Sequence, residues 1–303
     1  MKRMTSVLAL TTAAILGLSA CGGGGDPLAS DSPSGSAVAG GDVVIGSADF
    51  PESELLAEIY AGALKAKGIN ATTKPRIGSR EIYLKALEDG SIQAIPEYTG
   101  ALGFFYDKNF AETDPEKVYT AIQTLIPAEF AVLEKSAAED NDSIVVTKET
   151  ADSKSLKTID DLKAVAGEMS LGAPPEFKAR PQGVPGLTKT YGVTFKSFRE
   201  LTGQGLVQAL KNGQVDAANI FTTDPSIAEN GFVSLEDTKK LFGSQNIVPL
   251  VAKDKSEQLA PALNAVSKAL TTEVISGLLK QTVTDKKDAK DVAAEFLKSN
   301  NLG

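Results

Sequence analysis

From Asp42 onward the chain alternates short β-branched runs with stretches of helical apolar spacing. Val43-Val44-Ile45 reads as a strand. Leu55, Leu56, Ile59, Tyr60 and Leu64 then recur at helical intervals across 52–65, and Gly68 is placed to end that helix. A strand over 71–76, a helix over 80–88 and a strand over 92–95 continue the alternation. Further strands are expected at 144–146, 170–171, 193–198 and 215–220, with a helix at 206–211 before the last of them. The apolar spacing over 259–297 predicts two or three amphipathic helices. Strands alternating with helices define an α/β protein.

The two halves of this pattern resemble each other. Ala86-Leu87-Glu88-Asp89-Gly90-Ser91-Ile92-Gln93-Ala94 aligns with Ala209-Leu210-Lys211-Asn212-Gly213-Gln214-Val215-Asp216-Ala217, and in the same register Tyr98-Thr99 falls on Phe221-Thr222. Ile45-Gly46-Ser47-Ala48 followed by Phe50 echoes Leu171-Gly172-Ala173-Pro174 followed by Phe177. Any helix-glycine-strand unit explains one such match. Two matches in the same order, one of which carries an aromatic plus threonine after its strand, point to two similar lobes. Ligands of open α/β sheets collect at the carboxyl ends of strands, and clefts between lobes are favoured sites. Tyr98 and Phe221 are therefore expected to face each other across a cleft.

Composition narrows the chemistry. Among 303 residues there are 31 Lys+Arg against 39 Asp+Glu, a formal charge of −8, with no histidine, no tryptophan and one cysteine, Cys21. The lack of histidine excludes Ser-His-Asp and Cys-His catalysis and a histidine-bearing zinc site. One cysteine excludes an intramolecular disulfide and a Cys-rich metal site. An acidic chain without a basic block is a poor nucleic-acid partner. No metal or cofactor is expected. Paired acids such as Glu52 and Glu97 would serve a glycosidase only if something held both against one bond, and no motif does so. Without histidine no side chain titrates between pH 6 and 8 at its ordinary pKa, so any ligand affinity is expected to be flat across that window.

Lys2 and Arg3 precede an apolar stretch over 6–18, too short to span a bilayer. The stretch ends in Leu18-Ser19-Ala20-Cys21, which resembles the lipobox of bacterial lipoproteins. That resemblance implies a signal peptide over 1–20 and lipidation of Cys21; an ordinary secretory signal with an incidental cysteine is the alternative. Residues 22–41, rich in Gly, Ser, Pro and Ala, read as a tether behind that cysteine.

Gly46-Ser47-Ala48-Asp49-Phe50-Pro51-Glu52 resembles the GSxxFxE opening of substrate-binding proteins from osmoprotectant ABC importers, those for glycine betaine, choline and carnitine. Pro96-Glu97-Tyr98-Thr99-Gly100 is similar to their PEYTG motif. Pro175-Glu176-Phe177 with Arg180, then Gly183, Pro185-Gly186-Leu187 and Thr190-Tyr191-Gly192, resembles their second-lobe signature, and Ala209 to Gly213 with Thr223-Asp224 completes the series. The likeness runs from about 42 to 302 with order and spacing kept. It implies a periplasmic-binding-protein fold of class α/β, with two lobes joined by two crossover strands. Lobe 1 is expected over 42–140 and 247–303, and lobe 2 over 141–246. It also implies a monomeric, extracytoplasmic receptor that delivers its solute to an ABC permease and its ATPase.

In that family four tyrosines surround a trimethylammonium head, which has no N–H to donate and so must be recognised by aromatic faces. The resemblance puts Tyr98 in one wall and Phe221 in a second. Asp142 stands near the third and Gln245 or Asn246 near the fourth, so two walls are polar here. Asp140 matches an acidic residue beside the cage, and Arg180 an arginine that binds carboxylate, with an interlobe ion pair as its other reading. Ser47, Thr99 and Thr222 complete the expected ligand-binding set. Two ligand classes stay open: a betaine or choline-like cation paired with carboxylates, or another polar solute such as a sugar, polyol or phenol. Phe104, Phe105 and Tyr106 are expected in a helix and in the core.

Overall fold

The computed structural model describes residues 42–303; Cys21, the signal segment over 1–20 and the tether over 22–41 fall outside the described residues. Two five-stranded sheets organise the chain. The first has the order β2-β1-β3-β10-β4, from β1 (Val43–Gly46), β2 (Ala71–Lys74), β3 (Ala94–Tyr98), β4 (Phe130–Val132) and β10 (Ile247–Ala252). The second has the order β7-β6-β8-β5-β9, from β5 (Ile144–Val146), β6 (Ser170–Ala173), β7 (Ser197–Glu200), β8 (Ala217–Asn219) and β9 (Val233–Leu235). Each sheet is a parallel triplet followed by one antiparallel strand and an edge strand.

The internal repeat has a structural counterpart. Ile45 lies opposite Ala94 in the first sheet, and Leu171 opposite Ala217 in the second. These are the pairs that the two halves of the sequence align. The glycines that the repeat aligns, Gly46 in β1 and Gly172 in β6, are similarly placed: a Cβ at Gly46 would lie 2.6 Å from Ile92 Cδ1, and one at Gly172 would lie 2.7 Å from Leu206 Cδ1. In both sheets a side chain at this glycine would have to displace the tip of an apolar side chain packed beside the third parallel strand.

Several boundaries differ from the periodicity. The strand expected at 92–95 runs instead from Ala94 to Tyr98, and that expected at 193–198 lies at Ser197–Glu200. Residues 92 and 193 are apolar because they are buried before the strand begins, not because they belong to its ladder. Ile247–Ala252, an inner strand of the first sheet, has no alternation to reveal it: it is buried over nearly all its length and carries Pro249. It pairs antiparallel with both β3 and β4.

Two crossovers connect the sheets and run side by side. Glu139 and Asn246 form an antiparallel bridge, flanked by Asp140 N–H to Gln245 O at 3.1 Å and Ile247 N–H to Ala138 O at 3.0 Å. Helix α1 (Pro51–Ala66) packs with the C-terminal helices Ser256–Ala269, Thr272–Leu279 and Ala289–Ser299 against the first sheet, sharing a core that includes Leu55, Ile59, Leu263 and Phe296. The second sheet has its own core around Leu162, Leu171, Phe177 and Phe242. Among the described residues no helix is long and apolar enough to cross a membrane, and no group of three His, Cys, Asp or Glu side chains is placed to hold a metal.

Candidate functional site

A cavity of about 350 Å³ lies between the two sheets and takes its walls from both, within the ordinary size range of small-ligand sites. Helix α1 begins at its edge. Phe50 is the extended residue before the helix, Pro51 occupies its first position, and Glu52 stands in its first turn, where a carboxylate is favoured by the helix dipole. On the first sheet β3 ends at Tyr98, and Thr99 opens a short helix. Gly100 is required there, because a Cβ would approach Ser244 O of the second crossover to 2.6 Å.

Three aromatic rings meet at this cavity. Phe50 lies 6.1 Å from Tyr98 and 5.4 Å from Phe221, centroid to centroid, with both pairs tilted. Tyr98 and Phe221 thus reach the cleft from different sheets, as their register predicts, but they are linked through Phe50. Phe50 was visible in the sequence only as a letter of the GSxxFxE motif, and nothing in its spacing marks it as a wall of the site.

Beneath the rings is a carboxylate cluster. Glu52 is buried and accepts from Tyr98 Oη at 2.7 Å and from Thr223 Oγ1 at 2.7 Å, the second bond crossing between the two sheets' domains. Asp140, on the first crossover, accepts from Thr223 N–H at 3.1 Å and from Thr222 Oγ1 at 3.4 Å. Burial raises the pKa of Glu52, against the hydrogen bonds from Tyr98 and Thr223. Burial first and the charge of Glu52 second push Asp140 well above the usual carboxylate range. Two buried acids this close do not both ionise readily. Asp142 accepts from Asn219 Nδ2 at 3.0 Å and is raised by burial as well. Tyr98 is only 8% exposed, and its hydroxyl is pushed well above 10 by burial and by Glu52.

The remaining expected residues divide. Arg180 lines the cavity and also pairs across the cleft with Glu81 at 3.4 Å, the interlobe ion pair of its second reading. Gln245 lines the cavity, but its amide is engaged at both ends, donating to Phe242 O at 2.7 Å and accepting from Ala101 N–H at 2.9 Å. Ser47, Thr99, Thr222 and Asn246 do not line it. Ser47 donates to Ala48 O and accepts from Arg76 N–H. Thr99 donates to Ser244 O and accepts from Asn246 N–H, while Asn246 donates to Ser136 O. Thr222 is exposed beside the crossover, accepting from Asn141 N–H; the residue that turns inward is its neighbour Thr223. These four side chains are spent largely on backbone groups, most of them distant in sequence, and Thr222 on Asp140 as well, which motif matching alone does not distinguish from ligand contacts.

Glu97 of the PEYTG segment is wholly buried and takes a bidentate pair from Arg80 at 2.8 and 2.9 Å, Tyr83 Oη at 2.6 Å and Tyr98 N–H at 2.9 Å. It fastens helix α2 (Arg80–Glu88) to β3 and holds Tyr98 in place. Every lone-pair direction of Glu97 is occupied, so it is not half of a Glu52–Glu97 hydrolytic pair. Phe104 and Phe105 are in helix α3 (Thr99–Tyr106), as expected, but they are not core: Phe105 is 37% exposed and both line a second cavity.

Two sheets joined by paired crossovers, with a cavity lined from both sides, define a solute-binding protein of the two-lobed periplasmic type. Residues 41–299 match the family described as the substrate binding domain of ABC-type glycine betaine transport systems, and the chain belongs to that family. Among its relatives are a glycine-betaine-binding protein of Pseudomonas aeruginosa, 26% identical over 85% of this chain and 88% of the relative, and the carnitine transport binding protein OpuCC of Listeria monocytogenes, 25% identical over 85% and 86%. A crystal structure of a glycine betaine/carnitine/choline ABC transporter protein shares the fold, with a TM-score of 0.69 at 24% identity over 86% of this chain and 99% of that one.

Proposed function

We propose that this protein is the extracytoplasmic receptor of an ABC importer and that its cleft captures a quaternary-ammonium osmoprotectant of the glycine betaine, choline and carnitine class. The observation that carries the reading is the convergence of Phe50, Tyr98 and Phe221 on one cavity above a carboxylate cluster. Aromatic faces attract a cation that has no hydrogen to donate. Asp142 and the Glu52–Asp140 pair supply negative charge beside it, and Arg180 is the partner for a ligand carboxylate. The polar residues at two expected cage walls had left a sugar, polyol or phenol open; Phe50 supplies a third aromatic face and removes the reason for that choice. The names of the relatives, which bind glycine betaine and carnitine, point the same way.

The role is binding and delivery without turnover, as a monomer that hands its solute to a permease driven by an ATPase. Cys21 carries the lipid that holds the receptor at the membrane. Two acyl chains on it would anchor stably, whereas one would not.

A thermal-shift screen tests the ligand. Glycine betaine, choline or carnitine at 100 times its dissociation constant adds about 2.7 kcal/mol, or about 5–10 °C for a chain of this size. A shift with sugars, polyols or phenols and none with the quaternary amines would sink the proposal.

A further inference from the structure

Beside the aromatic cavity lies a second one of about 240 Å³, bounded by Phe104, Phe105 and Lys108 on one side and by residues 179–182 on the other. Ala101, Arg180 and Gln182 line both, so the two are adjoining compartments of one cleft. Gln182 is 2% exposed, yet its Oε1 has no hydrogen-bond partner among the described residues. Buried amide oxygens are almost always paired, because leaving one unpaired forfeits its hydration. Gln245, in the same cleft, shows the usual state with both ends engaged.

Arg180, in the shared wall, holds its protein partners loosely. It stands 3.4 Å from Glu81 and 3.9 Å from Glu176, against 2.8 and 2.9 Å for the Arg80–Glu97 pair. An exposed ion pair at such distances has little to lose when a better-placed carboxylate arrives. The wall between the compartments therefore carries an acceptor without a donor and a guanidinium free to re-pair.

We propose that the second compartment is a subsite for the far end of an elongated quaternary-ammonium solute, one whose chain bears a hydroxyl and a terminal carboxylate. Gln182 Oε1 accepts from the hydroxyl, Arg180 takes the carboxylate, and Phe104 and Phe105 cover the methylenes between. Glycine betaine has no hydroxyl and choline no carboxylate, so neither uses the whole site. This assignment rests on the reading that the aromatic cavity takes the ammonium head.

Titration calorimetry with carnitine and γ-butyrobetaine, which differ only in one hydroxyl, isolates the Gln182 contact; glycine betaine serves as reference. The wild-type protein should prefer carnitine about tenfold, the worth of one neutral hydrogen bond in a buried site. Gln182→Met should abolish that preference, and an unchanged circular-dichroism spectrum shows that the variant is folded. Gln182→Glu keeps an acceptor and should restore the preference. Phe105→Ala should weaken both long ligands and spare glycine betaine. The subsite is refuted if the preference survives Gln182→Met, if all three ligands weaken alike, or if the wild type does not separate the pair while still binding glycine betaine. Failure of all three to bind overturns the head-group reading itself.

Discussion

Phe50 is the sharpest place to test how the cleft recognises charge. Its ring touches both Tyr98 and Phe221, and it lies at the start of α1, directly before the proline that opens the helix. Phe50→Leu keeps an apolar side chain of similar bulk and removes the π-face. A desolvated cation–aromatic contact is worth about 1–2 kcal/mol. Affinity for choline should then fall roughly five- to thirtyfold, at about tenfold per 1.4 kcal/mol. The loss of two ring–ring contacts, about 0.5–1.5 kcal/mol each, falls on the folded protein with and without ligand alike and largely cancels from binding. The assay is calorimetric titration with choline and with 3,3-dimethylbutanol, its uncharged carbon isostere, against wild type and variant. The cation should lose affinity, and the isostere should bind both proteins within about twofold. Equal loss for the two ligands would show that Phe50 acts only by shape, and the electrostatic account of the aromatic walls would be wrong.

Other perturbations probe the surroundings of that ring. Thr223→Val removes the hydrogen bond to Glu52 that joins the lobes; a bond to a carboxylate is worth about 1.5–3 kcal/mol, so binding should weaken about ten- to a hundredfold, and unchanged affinity together with unchanged compaction in small-angle scattering would exclude a closing role. Asp140 binds its proton more tightly folded than unfolded, so its contribution to stability is fully present below the ordinary carboxylate pKa of about 3.9 and is lost as pH rises through the raised value. Asp140→Asn should therefore stabilise the ligand-free protein at pH 8 and do little at pH 4; an equal effect in urea denaturation at both would refute this. A cation bound beside the pair favours its charged form, so binding should release protons and strengthen with rising pH, contrary to the flat profile that a chain without histidine suggests; calorimetry in buffers of different ionisation enthalpy measures the release. Cys21→Ala should abolish metabolic labelling with radioactive palmitate, and persistent label would remove the lipobox reading.

The α/β class, the order of the early elements and the twofold build were legible in the chain. They rest on local pattern: period 3.6 against short β-branched runs, and a helix-glycine-strand unit whose glycine, Gly90 in one copy and Gly213 in the other, has a positive φ in both. Tyr98, Phe221, Asp140, Asp142, Arg180 and Gln245 were legible as cleft residues, because position after a strand or agreement with a motif is carried by sequence alone. The inner strand Ile247–Ala252 was not, since a strand buried on both faces has no alternation to display.

Which side chain of a motif turns inward was also not legible. Thr222 and Thr223 are neighbours, yet one is exposed beside the crossover and the other bridges the lobes through Glu52. Glu52, Glu97 and Asp140 are equally acidic as letters. Only long-range packing pairs Glu97 with Arg80 while leaving Glu52 and Asp140 to share one buried place. Local spacing sets the face a residue occupies, but its charge state and its hydrogen-bond partners depend on groups many residues away, which become neighbours only when the two crossovers bring the lobes together.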